Sequence, residues 1–190
     1  MINMYIYSYN DYSNVKTYLI QSKFKKYNSN DYKEKYIYNY LNNRIDADLY
    51  VGDRLLVIRG DKDSIDKTLK GLSLFNKVNL NDKNLFCMLY EKNFFKNLCE
   101  VTLKLSEDES GIESVTYKGH RIMESGILEQ FDFFDENSLT ELLTYKIQPY
   151  NQEYLMRISE VNFIEVNSNC IDDKIEQLID LLIMCLDNYF

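Results

Sequence analysis

His120 is the only imidazole in the chain, standing between Gly119 and Arg121 with Glu113 and Glu124 nearby in sequence. A general base of this kind needs a carboxylate to orient it and a nucleophile beside it. Cys87 and Cys99 carry thiols, but no spacing brings them to His120, so it reads as a surface or capping residue. With Cys170 and Cys185 the cysteines number four, and they contain no C-x-x-C pair and no close histidine. That pattern predicts reduced, mostly buried thiols rather than a zinc site or a disulfide framework.

Two groups of carboxylates have the types a metal needs: Asp61, Asp63 and Asp66, and further on Asp132, Asp135 and Glu136. The first begins like a calcium loop, yet Ile65 falls where the third oxygen belongs and the later Gly and Glu are missing. Its simpler role is an acidic cap on a helix over residues 64–75, where negative charge near the N-terminus is favourable. The chain has no Walker A loop, no G-x-G-x-x-G, no H-E-x-x-H and no G-x-S-x-G. The expectation is no catalytic residue, no metal and no cofactor.

Charge is the stronger signal. The net charge is -8, but residues 1–45 hold seven Lys or Arg against three Asp or Glu, and residues 105–190 hold five against eighteen. The C-terminal half is a candidate acidic surface, with Glu124, Glu129, Asp132, Asp135 and Glu136 as its binding residues, and such a field steers association with a basic partner. Near the N-terminus, Lys23, Lys25, Lys26, Lys33 and Lys35 with Tyr27, Tyr32 and Tyr36 supply the charge and stacking surfaces used by single-strand binders. Arginine is nearly absent there, and Asp11, Asp31 and Glu34 dilute the field, so nucleic-acid binding is the alternative.

The elements that must position these residues follow from periodicity. Met4–Tyr9 is rich in β-formers and predicts a strand, and Asn10–Asp11 can cap a first helix with Val15, Tyr18, Leu19 and Ser22 on one face and Lys16, Lys23, Lys25 and Lys26 on the others, interrupted at residues 28–31. A second helix over Tyr32–Asn43 is predicted from Tyr36, Ile37, Tyr40 and Leu41. Ala47–Gly60 reads as a hairpin turning at Gly52–Asp53, followed by the 64–75 helix through Ile65, Leu69 and Leu72. With a closing strand at 77–80 or 85–90, this is a ferredoxin-like βαββα(β) unit over residues 1–98.

For residues 99–190 the expectation is a mostly antiparallel sheet. It comprises a hairpin from Val101–Ser106 to 112–119, a strand over 127–134, a short helix capped by 135–138, and at least one strand within 154–166. It closes with an amphipathic helix on Ile171, Ile175, Leu178, Leu182, Cys185 and Tyr189, lying across this second sheet. The two halves can share one core. The class is α+β.

Asp11 at the end of the first strand resembles, over about ten residues, the aspartate of small ferredoxin-like nucleases of CRISPR adaptation. Those proteins are compact and depend on basic surfaces, whereas this chain is acidic and longer, so the activity is not carried over. Abundant Lys, Asn, Ile and Tyr with Pro used once and Trp never fit an AT-rich genome: a low-GC bacterium, a phage or a large DNA virus. No apolar run reaches the ~18 residues that cross a bilayer and no basic leader precedes the first strand, so a cytoplasmic protein is expected. The reading is a non-enzymatic interaction protein whose acidic half docks on a basic protein, as toxin-neutralising immunity proteins and phage or viral counter-defence proteins do. The C-terminal helix is where a homodimer would form.

Overall fold

The computed structural model describes residues 2–21, 24–29, 33–38, 47–60, 74–91, 97–105, 112–135, 138–148, 155–160, 162–167 and 172–190. The chain divides into two compact units, Met1–Val78 together with Cys170–Phe190, and Asn79–Asn169. No helix of the described residues is long and apolar enough to cross a membrane.

The first unit holds β1 (Ile2–Ser8), α1 (Tyr12–Gln21), β2 (Phe24–Ser29), β3 (Glu34–Tyr38), β4 (Ala47–Val51), β5 (Leu55–Gly60) and the short β6 (Asn76–Lys77). Its strand order is β2-β3-β4-β5-β1, and β6 also pairs with β1. Every one of these pairings is antiparallel. Asp11 ends β1 and starts α1: its carboxylate accepts the Ser13 backbone N–H at 2.9 Å and the Asn14 side-chain amide at 2.8 Å. It is an N-cap, which accounts for its conformation without chemistry. Val15 and Leu19 are buried as their spacing requires.

Leu55, Leu56, Val57 and Ile58 are buried without alternation, as are Met4 to Tyr7. A strand buried at successive residues is covered on both faces. The C-terminal helix, here α4 after α2 (Lys83–Glu91) and α3 (Ile127–Gln130), spans Asp172–Leu186 and belongs to this first unit rather than to the second sheet. Ile175, Leu178, Leu182 and Cys185 are buried as their spacing predicts, whereas Tyr189, read on the same face, lies past the helix end and is exposed, and Ile171 lies outside the described residues.

Of the second helix read over Tyr32–Asn43, the described residues Glu34–Tyr38 form the strand β3 instead, and β2 stands where the first helix was expected to continue through Lys25 and Lys26; the two strands pair with Phe24 opposite Tyr38 and Ser29 opposite Glu34. Strands therefore stand where a ferredoxin-like unit needs a helix, and that order is not what the described residues form. The closing strand read at 85–90 is α2, because Asp82 caps it by accepting the Leu85 N–H at 2.9 Å, which buries Leu85, Phe86 and Leu89 on one face. The alternative closing segment at 77–80 contributes Lys77 to β6. The helix read over 64–75 and Asp61, Asp63 and Asp66 lie, apart from the last two helix positions, outside the described residues.

The β4–β5 turn comes one residue later than expected. Val51 pairs with Leu56 and the Gly52 N–H donates to the Leu55 carbonyl at 2.8 Å, leaving Asp53 and Arg54 as the loop. Gly52 is required by close approach: a Cβ there would sit 2.5 Å from Asp187 Oδ2 and 2.6 Å from Ile183 Cγ2. The Asp187 carboxylate in turn accepts the backbone N–H groups of Asp53 at 3.0 Å and Arg54 at 2.9 Å. The Tyr9 hydroxyl donates to the Gly52 carbonyl from within the core. The hairpin tip is thus fastened to the C-terminal end of α4 and to the end of β1.

The second unit carries α2, β7 (Leu98–Lys104), β8 (Ser114–Lys118), a 3-10 turn (Ile122–Glu124), α3, β9 (Glu141–Ile147), β10 (Met156–Glu160) and β11 (Phe163–Val166). Its strand order is β11-β10-β9-β7-β8, again antiparallel throughout. Val101 and Leu103 face inward, while Thr102 bonds Thr116 across the ladder at 2.9 Å. The expected hairpin is present, and the segment expected to hold at least one strand supplies two, β10 and β11. The strand read at 127–134 is α3 and a run of turns, set by Gly126 in the left-handed region at φ 69°. The helix read after 135–138 is β9, in which Leu142, Tyr145 and Ile147 are buried.

Candidate functional site

Between Gly119 and Asp135 the second unit presents most of the predicted acidic residues on one run of chain. Three residues within it are left-handed: Arg121 at φ 62°, Gly126 at 69° and Asp132 at 49°. Asp tolerates that region, whereas Arg pays a conformational cost that the surroundings must offset. They do so by burial and hydrogen bonding. Ile122, Leu128 and Phe133 are buried, and Phe133 meets Phe86 edge-on at 5.4 Å, with Tyr145 on the other side of Phe86 at 5.4 Å. The Phe133 N–H donates to the Leu128 carbonyl at 2.9 Å and the Asp135 N–H to the Asp132 carbonyl at 3.0 Å. The Thr140 hydroxyl donates to the Phe131 carbonyl at 2.9 Å, and Lys83 Nζ donates to the Asp135 carbonyl at 2.7 Å.

On this anchored backbone Glu124, Glu129, Asp132 and Asp135 are exposed. Arg121 is the cation within the run, and it lies 3.6 Å from Glu124. Glu129 and Asp132 have no ion-pair partner among the described residues. The local field is therefore negative and solvent-facing, and its geometry is set by the apolar residues beneath. Glu136 lies outside the described residues. His120 is exposed at the start of the run, with no nucleophile hydrogen-bonded to it among the described residues.

The basic candidates are placed differently. β3 is a strand, so Lys33 and Lys35 lie on the opposite face from Glu34 and Tyr36. Lys33 is 5% exposed and reaches Asp180 Oδ1 at 2.6 Å and Glu176 Oε2 at 3.1 Å. Lys35 meets Glu176 at 2.8 Å and Asp48 at 3.3 Å. Both ammonium groups sit over the Tyr50 ring, 5.2 and 5.1 Å from its centre, and the Tyr50 hydroxyl donates to Glu176 at 2.8 Å. Glu176 and Asp180 are one helical turn apart on α4. These lysines hold the helix to the sheet. Burial alone would raise the Glu176 pKa; Lys35, Tyr50 and Lys33 outweigh it and hold the carboxylate below its ordinary range.

On the other face, the Glu34 carboxylate accepts the Tyr12 hydroxyl at 2.6 Å, the Tyr36 hydroxyl at 2.7 Å and the Lys26 ammonium. Burial pushes its pKa up, but the three donors together bring it down to about 2. A carboxylate whose folded pKa is depressed contributes its full stability above the unfolded value near 4.5, and that contribution disappears as pH falls from there toward 2. The first unit is therefore expected to weaken in acid, and Glu34→Gln to flatten that dependence while costing about 1–3 kcal/mol at pH 7. Urea titrations between pH 2 and 7 check both.

Of the remaining basic candidates, Tyr27 is 70% exposed on the outer strand β2, Lys26 is tied to Glu34, Lys23 lies outside the described residues, and the Lys25 side chain is likewise not described. Cys87 and Cys99 are half-buried and Cys185 is buried, and none of the three is in a disulfide. Burial pushes the Cys87 and Cys99 thiols up, away from thiolate character. Cys170 lies outside the described residues. No group of three or more metal-ligating side chains is found among the described residues. No protein-family model, no curated protein and no solved structure matches the chain.

Sequence reasoning missed the roles of Lys33 and Lys35. The available signal was the period-2 alternation Lys33, Lys35 against Glu34, Tyr36, read together with Glu176 and Asp180 at i, i+4 on the last helix.

Proposed function

We propose that the chain is a non-enzymatic interaction protein, an acidic binder or inhibitor of a basic protein partner, in the manner of toxin-neutralising immunity proteins and phage or viral counter-defence proteins. The observation that carries this reading is the run from Gly119 to Asp135, where four exposed carboxylates stand on a backbone locked by Ile122, Leu128 and Phe133. A pre-ordered charged surface raises association rate and selects against wrong partners without the cost of ordering a loop on binding.

Nucleic-acid or nucleotide binding through the N-terminal strands has less support, since Lys33 and Lys35 are committed to α4 and Lys26 to Glu34. A homodimer through α4 would rest on Met184, Tyr189 and Phe190, which are 45%, 40% and 37% exposed.

The test is a pull-down from lysate of the source cells, with bound protein and nucleic acid both analysed at low and moderate salt. Retention of one basic protein in stoichiometric amount, lost in the Glu129→Gln, Asp132→Asn, Asp135→Asn variant, is the expected result. Recovery of nucleic acid alone, undiminished in that variant, contradicts it.

A further inference from the structure

Beside the carboxylates, the same run exposes two large apolar side chains. Leu139 is 74% exposed and Phe134 is 38% exposed. Single exposed hydrophobics are ordinary on any protein surface. These two differ in lying on segments that are hydrogen-bonded to each other. The Ser138 N–H donates to the Asp135 carbonyl at 3.1 Å and the Thr140 hydroxyl to the Phe131 carbonyl, so two hydrogen bonds tie the residues around Phe134 to the residues around Leu139. Phe134 rests edge-on against the buried Phe133 at 5.3 Å, which restricts its ring. Asp132 and Asp135 flank Phe134 in sequence, and Glu129 opens the same set of turns.

Resting on the reading above, we infer that Phe134 and Leu139 are the anchors of this surface, and that the partner presents a basic amphipathic helix, an apolar stripe bordered by Lys or Arg. Charge complementarity argues for this occupant: an apolar pair set among Glu129, Asp132 and Asp135 matches an apolar stripe set among cations. Interfaces concentrate their binding energy in buried aromatic and aliphatic anchors, while exposed charges at the rim govern association rate and salt dependence. Phe134 and Leu139 therefore set how long the complex lasts, and the carboxylates set how fast it forms.

Calorimetric titration of the intact chain with two probes tests this. One is octalysine; the other is a fourteen-residue helical peptide of lysine and leucine whose leucines form one stripe. At moderate salt the Lys/Leu peptide is expected to bind at least tenfold tighter than octalysine. The Phe134→Ser, Leu139→Ser variant should bring it to the octalysine level with its salt dependence unchanged. Both side chains are exposed, so the variant is expected to melt like the parent, which circular dichroism checks. Equal affinity for the two peptides, or full affinity in the serine variant, overturns the anchor assignment and leaves the acidic-surface reading standing. Failure of both peptides to bind overturns the two together. Self-association of the chain alone, abolished by the same serine variant, would assign the pair to a second copy instead and overturn the inference.

Discussion

Replacing Lys33 by methionine is expected to destabilise the first unit by about 2–3 kcal/mol, although the side chain is replaced by an apolar one of similar length. Lys33 is nearly inaccessible and neutralises Asp180 and Glu176. Removing it takes that cation from Asp180 and leaves Glu176 sharing Lys35 with Asp48. Breaking a buried pair commonly costs about 3–5 kcal/mol; here the carboxylates are about one-third exposed, at 29–30%, and water screens part of the loss. Removing both charges should recover most of the stability, so Lys33→Met with Asp180→Leu is expected to lie close to the parent. Urea unfolding of the two single variants and the double variant measures the coupling. Strictly additive costs would mean that the pair does not act as a unit.

Gly52→Ala is expected to cost a similar amount, about 2–3 kcal/mol. Its methyl group would displace Asp187 and Ile183, both already within the space it needs. Asp187 cannot move without releasing the N–H groups of Asp53 and Arg54, each of which then needs water or another acceptor. In an Asp187→Ala background that part of the penalty is already present, so the added cost of Gly52→Ala should fall to that of the Ile183 overlap. A thermal shift unchanged by Gly52→Ala in the parent would show that the hairpin tip is not held by α4.

How much of this was legible in the sequence depends on what each segment packs against. α1, the β4–β5 and β7–β8 hairpins and α4 follow from periodicity, because each buries apolar side chains in the pattern its geometry dictates. β3 does not, because the faces it buries are polar. Lys33, Lys35 and Glu34 look solvent-directed in sequence and Tyr36 falls on the apolar face of a helix, yet the partners of the three charged residues are Glu176, Asp180 and Tyr12, distant in the chain. Tertiary ion pairing hid a strand inside what resembled a charged helix, and with it went the ferredoxin-like order. α2 was misread for a local reason: the Asp82 cap was passed over in favour of an apolar run.

The candidate site shows the same division. The acidic character of the C-terminal half is plain from composition, and Glu124, Glu129, Asp132 and Asp135 are exposed as expected. The conformation of the segment was not legible, since it comes from Phe133 meeting Phe86 edge-on and from left-handed residues in a stretch that reads like a strand. Lys26, Lys33 and Lys35 are paired with Glu34, Asp180 and Glu176, which was not legible because composition counts charge without saying where its counter-charge lies.

The acidic-surface reading is tested most directly by hydrogen exchange on the complex recovered with a basic partner, compared with the isolated chain. Slowed exchange confined to residues 119–140, and absent with the Glu129→Gln, Asp132→Asn, Asp135→Asn variant, is the predicted result. Slowed exchange over residues 24–29, with 119–140 unchanged, would contradict it and place binding on the N-terminal strands.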